Sequence, residues 1–388
     1  MKKALIIPLI LLSLIVMGAG LQISQKIRVV ILPGKTMQGW TEDDVDYLIS
    51  ILEETMLNLG RFELYSRQNL KEIMKERGLS ELGITEAIEV GEIASAKYVI
   101  LLTLNELRTG YDSEEDEYYA MTNLSVKVID ITDGKIVASK AISEKSYGKT
   151  GADAKQNLFS YLRSEFDFMI REFFKLKAAV AGVKDGKAYL TGVDIRLLRV
   201  GMIFKIESGL GREGYVKVIG EENGLAVADI LYGYVSKGAD AIEFPMMGMS
   251  GALTLDLYSF NLDIPFIGNN FFGLSLQAWA SEAPIYFDFS FLMGSVLSYT
   301  PFTFDLGARF ETLHFGRMFL GARGGFSMIG IYDTDKEDVI FSVFGAFAGA
   351  DVRYEFNPRF GVFAKYDWRF YFPGFSGSEY NLGLYFSM

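Results

Sequence analysis

Charged side chains of both signs recur at every second position among aromatic residues in the last third of the chain. In the stretch FTFDLGARFET, Asp305, Arg309 and Glu311 share one parity, and large apolar residues dominate the other. Alternate residues of a strand point to the same face of a sheet, so carboxylates and guanidinium groups are expected together on one face. The same argument selects ten residues, five of each sign: Asp305, Arg309, Glu311, Arg323, Asp351, Arg353, Glu355, Lys365, Asp367 and Arg369.

Three other stretches could in principle do chemistry. His314 is the one histidine of the chain. By parity it shares the face of the large apolar residues, which would face lipid if these strands form a membrane barrel, and it would lie near the periplasmic end of its strand. No nucleophile can be assigned to it, so we expect a packing role and not catalysis. Residues 209–214, GLGREG, match the spacing of a dinucleotide loop, but a strand pattern follows where a helix is required, which favours a hairpin. The acidic run YDSEEDEYY, residues 111–119, offers oxygens to a hard cation, but it has no recognisable ligand spacing, so a solvated hairpin tip is expected. We therefore predict no enzyme, no cofactor and no metal.

The elements that must position the ten charges are strands. Of the 31 phenylalanines, 23 follow Pro245. Period-two alternation there predicts eight strands, at 249–258, 271–280, 285–296, 302–314, 318–329, 340–356, 360–372 and 380–388.

Large apolar residues on one face and charges on the other fit a membrane barrel better than a soluble sandwich, which would place the charges in water. The connections also alternate between short and longer ones, as in outer-membrane barrels. Residues 246–388 are thus expected to form an eight-stranded antiparallel transmembrane β-barrel. Side chains fill a lumen of that size, and unpaired charges in it would be costly, so we expect an ion-paired plug: an anchor and not a channel.

The chain ends within the last predicted strand, at NLGLYFSM. This stretch resembles the C-terminal sorting signal of outer-membrane barrels through Asn381, Gly383, Phe386 and Met388, with methionine in place of the usual final aromatic residue. The resemblance implies the barrel-assembly machinery as a partner during biogenesis, and outer-membrane lipid afterwards.

The start of the chain predicts export. Lys2 and Lys3 precede the apolar run Ala4–Met17, and small residues follow it, which is typical of a cleaved signal peptide, here assigned to 1–20. The chain has no cysteine, so disulfides and an N-terminal lipid anchor are excluded. The net charge of −11 without a basic stripe argues against nucleic acid as a partner.

Residues 27–177 alternate strand and helix patterns. KIRVVILPG predicts a strand, and the following helix is expected to start at Thr41 as N-cap, to bury a stripe that includes Leu57, and to stop at Gly60. A hairpin is expected around Asp133-Gly134, and a helix over about Ala152–Lys177 closes the domain. The stretches LYSRQNLKEIMKE, ASAKYVILLTL and VKVIDITDGKIVAS resemble the curli-secretion (CsgG-like) superfamily, whose fold is shared by penicillin-binding-protein activators and the TolB N-terminal domain. The resemblance implies an α/β domain for protein assembly. The lipidated cysteine and the membrane hairpins of the curli protein are absent.

Residues 178–245 read as five short strands separated by glycine-rich turns. LRVGMIFKI and SKGADAIEF resemble the C-terminal module of the flagellar assembly protein T family, which implies an SH3-like small barrel.

Together, these sequence features predict a multidomain chain in the outer membrane with its N-terminal domains in the periplasm. The expected function is non-enzymatic docking or assembly with an unidentified periplasmic or cell-wall protein. Two alternatives remain open: a subunit of a curli-type secretion pore, and a barrel enzyme that modifies lipid.

Overall fold

The computed structural model describes residues 20–78, 82–208, 212–246, 251–262, 270–279, 285–294, 299–333, 338–372 and 374–387. The predicted signal peptide lies outside these residues, apart from Gly20. The described chain forms two compact units. The first comprises residues up to Ile230 together with Tyr234–Pro245, and the second comprises Leu231–Gly233 and the residues from Met246 onward.

The first unit begins with a short strand and a five-stranded α/β sheet. The strands are β1 (Leu21–Ile23), β2 (Ile27–Gln38), β3 (Phe62–Leu64), β4 (Tyr98–Asp112), β5 (Glu117–Asp130) and β6 (Lys135–Gly148). The sheet order is β3-β2-β4-β5-β6. β2 pairs in parallel with β3 and β4, whereas β4–β5 and β5–β6 are antiparallel. The predicted hairpin is confirmed at Asp133-Gly134, where Gly134 adopts φ of 66°.

Four helices accompany this sheet: α1 (Glu42–Leu59), α2 (Arg67–Glu76), α3 (Ile84–Ile93) and α4 (Gly151–Phe173). Thr41 is the N-cap of α1, as predicted: its hydroxyl accepts the Asp44 N–H at 3.3 Å, and its own N–H donates to the Asp44 carboxylate at 3.3 Å. Leu57 is 58% exposed, so its place in the predicted stripe was wrong; it lies one residue, and thus about 100° around the helix, beyond the buried Met56. Among the described helices, none is both long and apolar enough to cross a membrane.

The helix predicted to reach Lys177 ends at Phe173, and the chain continues directly as a strand, β7 (Phe174–Lys184). The residues FKLKAAV alternate apolar and basic side chains, which is a period-two pattern. Phe174, Leu176, Ala178 and Val180 are buried on one face of β7. The predicted helix covered Phe174–Lys177, so the prediction that these residues are helical is wrong and this strand was not predicted.

β7 is one side of a closed ring of six strands, one more than the five predicted. The others are β8 (Lys187–Thr191), β9 (Ile203–Ser208), β10 (Arg212–Glu222), β11 (Leu225–Gly233) and β12 (Asp240–Glu243). The order is β7-β12-β9-β10-β11-β8, and pairing of β8 with β7 closes the ring, while β1 adds to β7 in parallel. Its inner side chains are apolar and fully buried, for example Phe204, Ile206 and Val216.

The α/β sheet and the six-stranded ring share one apolar core, which runs from Val29 and Leu52 to Phe204 and Val218. A buried ion pair joins them: Arg61, which precedes β3, contacts Glu243 of β12 at 2.6 Å, and neither side chain is more than 3% exposed. Arg61 also donates to the carbonyl of Phe174 at 3.0 Å, and Glu243 accepts the N–H of Leu176 at 3.0 Å. Every charge at this junction therefore has a partner, which is the condition for tolerating a buried ion pair.

The second unit contains a closed antiparallel barrel in which each strand pairs with its sequence neighbours and the last pairs with the first. Its strands are β13 (Gly251–Leu262), β14 (Asn270–Trp279), β15 (Ile285–Gly294), β16 (Tyr299–Phe315), β17 (Met318–Asp333), β18 (Asp338–Asn357), β19 (Phe360–Tyr371) and β20 (Phe375–Ser387). We call the end where β13 begins and β20 finishes the base of the barrel, and the opposite end the far rim.

Candidate functional site

Arg369 is the centre of a polar cluster inside the eight-stranded barrel. Its guanidinium group is fully buried and binds both oxygens of Asp305, at 2.7 and 2.5 Å. It also donates to the Ser327 hydroxyl at 2.6 Å and the Tyr371 hydroxyl at 3.2 Å, and it forms an ion pair with Glu379. These partners come from β16, β17, β19 and β20, so the cluster ties together strands that do not all neighbour one another.

A second cluster fills the lumen nearer the base. Arg309 donates to both oxygens of Asp351, at 2.8 and 2.9 Å, and approaches Glu311 at 3.4 Å. Arg353 bridges Glu311 at 3.3 Å and Glu355 at 3.1 Å. The two contacts with Asp351 share the single Nε–H of Arg309, which lies between the two carboxylate oxygens. Each charge of this cluster, from two arginines and three carboxylates, therefore lies within 3.4 Å of one of opposite sign.

Aromatic rings take up the space that the ion pairs leave. The guanidinium group of Arg353 lies over the rings of Tyr385 and Phe319, at 4.4 and 4.8 Å from their centroids. Arg323 and Arg369 both lie over Phe347, at 5.1 and 5.3 Å. Such contacts add a cation–π attraction to the ion pairs.

Glycines on the lumen face make room for these large side chains. A Cβ atom on Gly321 would lie 2.5 Å from the Asp351 carboxylate and 2.7 Å from Arg309 Nε, and one on Gly307 would lie 2.6 Å from the Phe347 ring. Large and small residues thus interlock across the lumen, as expected for an eight-stranded barrel whose interior side chains fill it.

The structure places all ten charges selected from the sequence on the lumen side. Nine of them are buried, and Glu311 is partly exposed. Arg323 faces Asp367 at 3.4 Å, and Lys365 lies over the Phe363 ring at 4.8 Å. Sequence reasoning missed Glu379, which is 1% exposed, because it started the last strand at 380. The alternation Gly377, Glu379, Asn381 and Gly383 would have found it.

The outer wall of the barrel has the opposite character. Between residues 306 and 384, most outward positions of β16–β20 are apolar or aromatic, and Phe326, Phe344 and Leu382 are each more than 60% exposed. The exceptions in β20 are Ser376 and Ser378, which lie opposite the outward Phe370 and Trp368. A ladder of rings lies near the base: Tyr354–Phe356, Phe356–Phe360 and Phe360–Phe386, with centroids 5.5, 5.3 and 5.2 Å apart.

A second group of rings lies towards the far rim, where Tyr366 contacts Tyr380 and Trp368 contacts Phe370. From Phe360 to Phe370 the strand rises roughly 33 Å at about 3.3 Å per residue. A tilt of about 40° reduces this to roughly 25 Å, the height of the apolar band of outer-membrane barrels, which aromatic girdles flank. The outer wall therefore fits a bilayer.

His314 does not have the predicted orientation. The pairing of β16 with β17 shifts by one residue between Glu311 and Leu313. A β-bulge of this kind reverses the parity of everything beyond it. His314 consequently opposes Phe319 and stacks on it with centroids 5.7 Å apart, on the parity of the lumen and not of the lipid.

The end of the chain is part of the barrel wall. Asn381 is buried in the lumen, and Gly383 lies against the ring of Phe363, where a Cβ atom would clash. Phe386 belongs to the aromatic ladder at the base. Met388, the fourth residue of the predicted sorting signal, lies outside the described residues. Asn381, Gly383 and Phe386 thus have packing roles. Recognition of this stretch by the barrel-assembly machinery stays a prediction.

The two remaining candidate stretches occupy strand ends in the first unit. The acidic run follows the end of β4, where Asp112 accepts from Lys145 at 2.8 Å and from the backbone of Glu114. The pKa of Asp112 is lowered chiefly by its hydrogen bond with Lys145. Of the GLGREG stretch, 209–211 lie outside the described residues, and Arg212 already belongs to β10.

No family model and no curated protein matches this chain. Several solved structures resemble parts of it. The N-terminal β-barrel domain of Pseudomonas aeruginosa OprF is 12% identical and covers 36% of this chain and 98% of its own, with a TM-score of 0.27. Neisserial surface protein A is 11% identical and covers 36% and 97%, with a TM-score of 0.30. The PelC dodecamer from Paraburkholderia phytofirmans is 16% identical and covers 41% and 94%, with a TM-score of 0.28. The resemblance of the N-terminal regions to the curli-secretion, TolB and flagellar assembly families stays a prediction.

Proposed function

We propose that this chain is an outer-membrane protein whose eight-stranded barrel anchors a periplasmic docking unit. Residues 246–388 would cross the membrane, and the unit that precedes them would present its surface to a periplasmic or cell-wall protein. Outer-membrane lipid and, during biogenesis, the barrel-assembly machinery would be its other partners. This role requires no catalysis.

The distribution of polarity in the barrel carries the proposal. In the described strands β16–β20, the outer wall is mainly apolar and aromatic, while buried carboxylates and arginines lie inside. In water this arrangement would expose the apolar surface and bury the charges, the reverse of what stabilises a soluble protein. In a bilayer the same arrangement is favourable, because a closed barrel satisfies its backbone hydrogen bonds and turns its apolar wall to lipid.

The filled lumen favours an anchor over a pore. In the described part of the lumen, the clusters around Arg369 and Arg309 link side chains of β16–β20, and a Cβ atom on Gly307 or Gly321 would clash with the large side chains there. A secretion pore would need either a wider barrel or a polar outer wall around which several barrels could assemble. A lipid-modifying site would need a nucleophile beside His314, whose described ring contact is Phe319.

The proposal predicts that the mature full-length chain sediments with membranes, requires detergent for extraction, and migrates faster on gels when it is left unheated. Recovery of the intact chain in the soluble fraction would contradict it. Planar-bilayer recordings separate anchor from pore: the pure protein should give little current, and large reproducible conductance steps would favour the secretion-pore alternative.

A further inference from the structure

The outer edge of β6 is the longest strand edge of the five-stranded sheet that has no strand partner among the described residues. The opposite edge strand, β3, has only three residues, and shortness is one way in which sheets protect their edges. β6 has 14 residues and pairs with β5 on one side. Its edge backbone groups could therefore accept another strand.

Two features limit the part of β6 that is regular and uncovered. At its start, the pairing with β5 shifts so that Val137 is skipped, and the regular ladder resumes at Ala138. At its end, the side chain of Asn157 in α4 donates to the carbonyl of Tyr147 at 2.9 Å. The open stretch therefore runs from Ala138 to Ser146, and Ile142 is its midpoint.

The side chains of this stretch do not block pairing of another strand along the edge. Lysines commonly block pairing at exposed edges, but Lys140 is ion-paired with Glu165 of α4 and Lys145 lies 2.8 Å from Asp112. Most of the other residues in the stretch are alanine or serine, which allow close approach of a second strand.

Charge complementarity selects the same centre independently. In a continuous antiparallel sheet, opposing residues point to the same face, so each residue must oppose one of the same parity. Among such registers, pairing about Ile142 sets Lys140 of one copy opposite Glu144 of the other, twice by symmetry. Pairing about Lys140 or Glu144 would instead oppose like charges, which is destabilising.

A second lysine beside Glu144 would stabilise its ionised carboxylate. Its carboxylate is partly buried, hydrogen-bonds to Tyr161 and has the carboxylate of Glu165 nearby; burial, aided by repulsion from Glu165, raises its pKa. Its own Lys140 is already bound to Glu165. Beside it on α4, Tyr161 is 44% exposed and would be covered by the partner.

We propose that two copies of this chain pair through β6, antiparallel and centred on Ile142, with Lys140 of each opposite Glu144 of the other. The five-stranded sheets then form one continuous sheet across a two-fold axis. This interface is independent of the barrel and of the docking role proposed above.

Charge reversal in the full-length chain in detergent tests the pairing, with the mass measured by sedimentation velocity. K140E and E144K should each weaken the dimer about tenfold or more, because each replaces two favourable cross-strand pairs by two repulsive ones. The double variant K140E/E144K restores opposite charges and should recover most of the affinity. K71E, on the exposed surface of α2, is the control and should leave the dimer unchanged. A wild-type chain that stays monomeric at tens of micromolar, or a dimer insensitive to both single reversals, would overturn the proposal.

Cysteine pairs test the register without altering charge, since the chain has no cysteine of its own. In A141C/S143C, each new thiol opposes one of the partner and should form intermolecular disulfides on mild oxidation. In S139C/S143C, neither thiol lies directly opposite a thiol of the partner, and the nearest pair is offset by two residues along the strand. This offset exceeds the Cβ separation of about 4 Å that a disulfide tolerates, so this variant should stay unlinked. Linkage of the second variant but not the first would refute the register.

Discussion

The chain contains two closed barrels with opposite polarity. The six-stranded ring has an apolar interior around Phe204 and Val216, and its exterior carries ion pairs such as Lys205–Glu213 at 2.7 Å and Lys177–Asp240 at 3.1 Å. The eight-stranded barrel has its ion pairs inside, beside a few rings such as Phe347, and exposed phenylalanines such as Phe326 and Phe344 on its outer wall. Both use strands with period-two alternation, so the alternation itself does not decide which face is inside.

The surrounding solvent and the width of the barrel account for the difference. In a narrow ring in water, the interior has room only for apolar side chains whose burial supplies the stabilisation. In a barrel surrounded by lipid, the outer wall must be apolar, and the wider interior is left for polar residues. The residue types at outward positions therefore indicate whether a barrel is suited to water or to lipid.

The largest expected effect is on solubility, when the chain is divided after Pro245. Residues 21–245 expressed alone should be soluble and should unfold cooperatively in denaturant, because the α/β sheet and the ring share one core. Residues 246–388 alone should aggregate without detergent. Circular dichroism against denaturant concentration measures the first, and a fragment with no cooperative transition would refute the self-contained unit.

Removing the central lumen charge should have the next largest effect. Arg369→Met leaves Asp305 and Glu379 buried without their cation, and loss of one partner of a buried pair costs about 3–5 kcal/mol. Unfolding of the full-length barrel by guanidinium in detergent would measure it. Arg163→Met is the matched control, because its pair with Glu54 is exposed and such pairs contribute about 1 kcal/mol at most. Equal losses of unfolding free energy in the two variants would mean that the buried ion pairs of Arg369 contribute no more to stability than an exposed pair.

Charge on the outer wall should separate the two barrels directly. Leu382→Arg places a cation on the lipid face, at a cost of about 2–4 kcal/mol near the midplane. The converse change on the six-stranded ring, Lys217→Leu, should alter stability by about 0.5 kcal/mol or less, as surface substitutions usually do. Unfolding in lipid vesicles and in buffer, respectively, gives the two values. If the arginine were tolerated as well as the leucine, the outer wall would not face lipid.

A smaller effect is expected at the start of α1 in the first unit. Burial alone would raise the pKa of Asp44, but the ion pair with Lys155 at 2.5 Å and the hydrogen bonds with Thr41 outweigh it and lower the pKa. Its stabilisation is therefore present above the unfolded-state pKa near 4 and is lost as the pH falls through the folded-state value.

Asp44→Asn should cost about 1 kcal/mol at pH 7, in the range of helix-capping contributions, and less at pH 3. Thermal unfolding at both pH values measures this difference. Glu42→Gln, in the same first turn but exposed, should show a smaller pH-dependent loss. A cost for Asp44→Asn that did not decrease in acid would contradict the role of the carboxylate.

Many strands could be predicted because each carries its own alternation. The predicted segments 302–314 and 360–372 correspond to β16, Tyr299–Phe315, and β19, Phe360–Tyr371. The parity of Asp305 and Arg369 followed from the same local pattern. β7 was missed because a helical pattern runs directly into it at Phe173, with no glycine or proline to mark the change.

Errors arose where one residue changes the register. The bulge between Glu311 and Leu313 turns His314 to the other face, and no local signal in that stretch marks it, since the ladder with β17 determines which residue is extra. Leu57 was assigned to the core because it is apolar, whereas the direction in which α1 packs decides that Met56 is buried and Leu57 is not.

The amino-acid sequence by itself determined which residues are strand-forming, which of them share a face, and that the face rich in phenylalanine is too apolar for water. These properties depend on neighbours within a few residues. Only the tertiary structure decided that six strands close the ring, that Arg61 meets Glu243, and that Arg369 binds Asp305 and Glu379 together. Those contacts join residues far apart in the chain, and closure of the two barrels, which sets the strand register, brings them together.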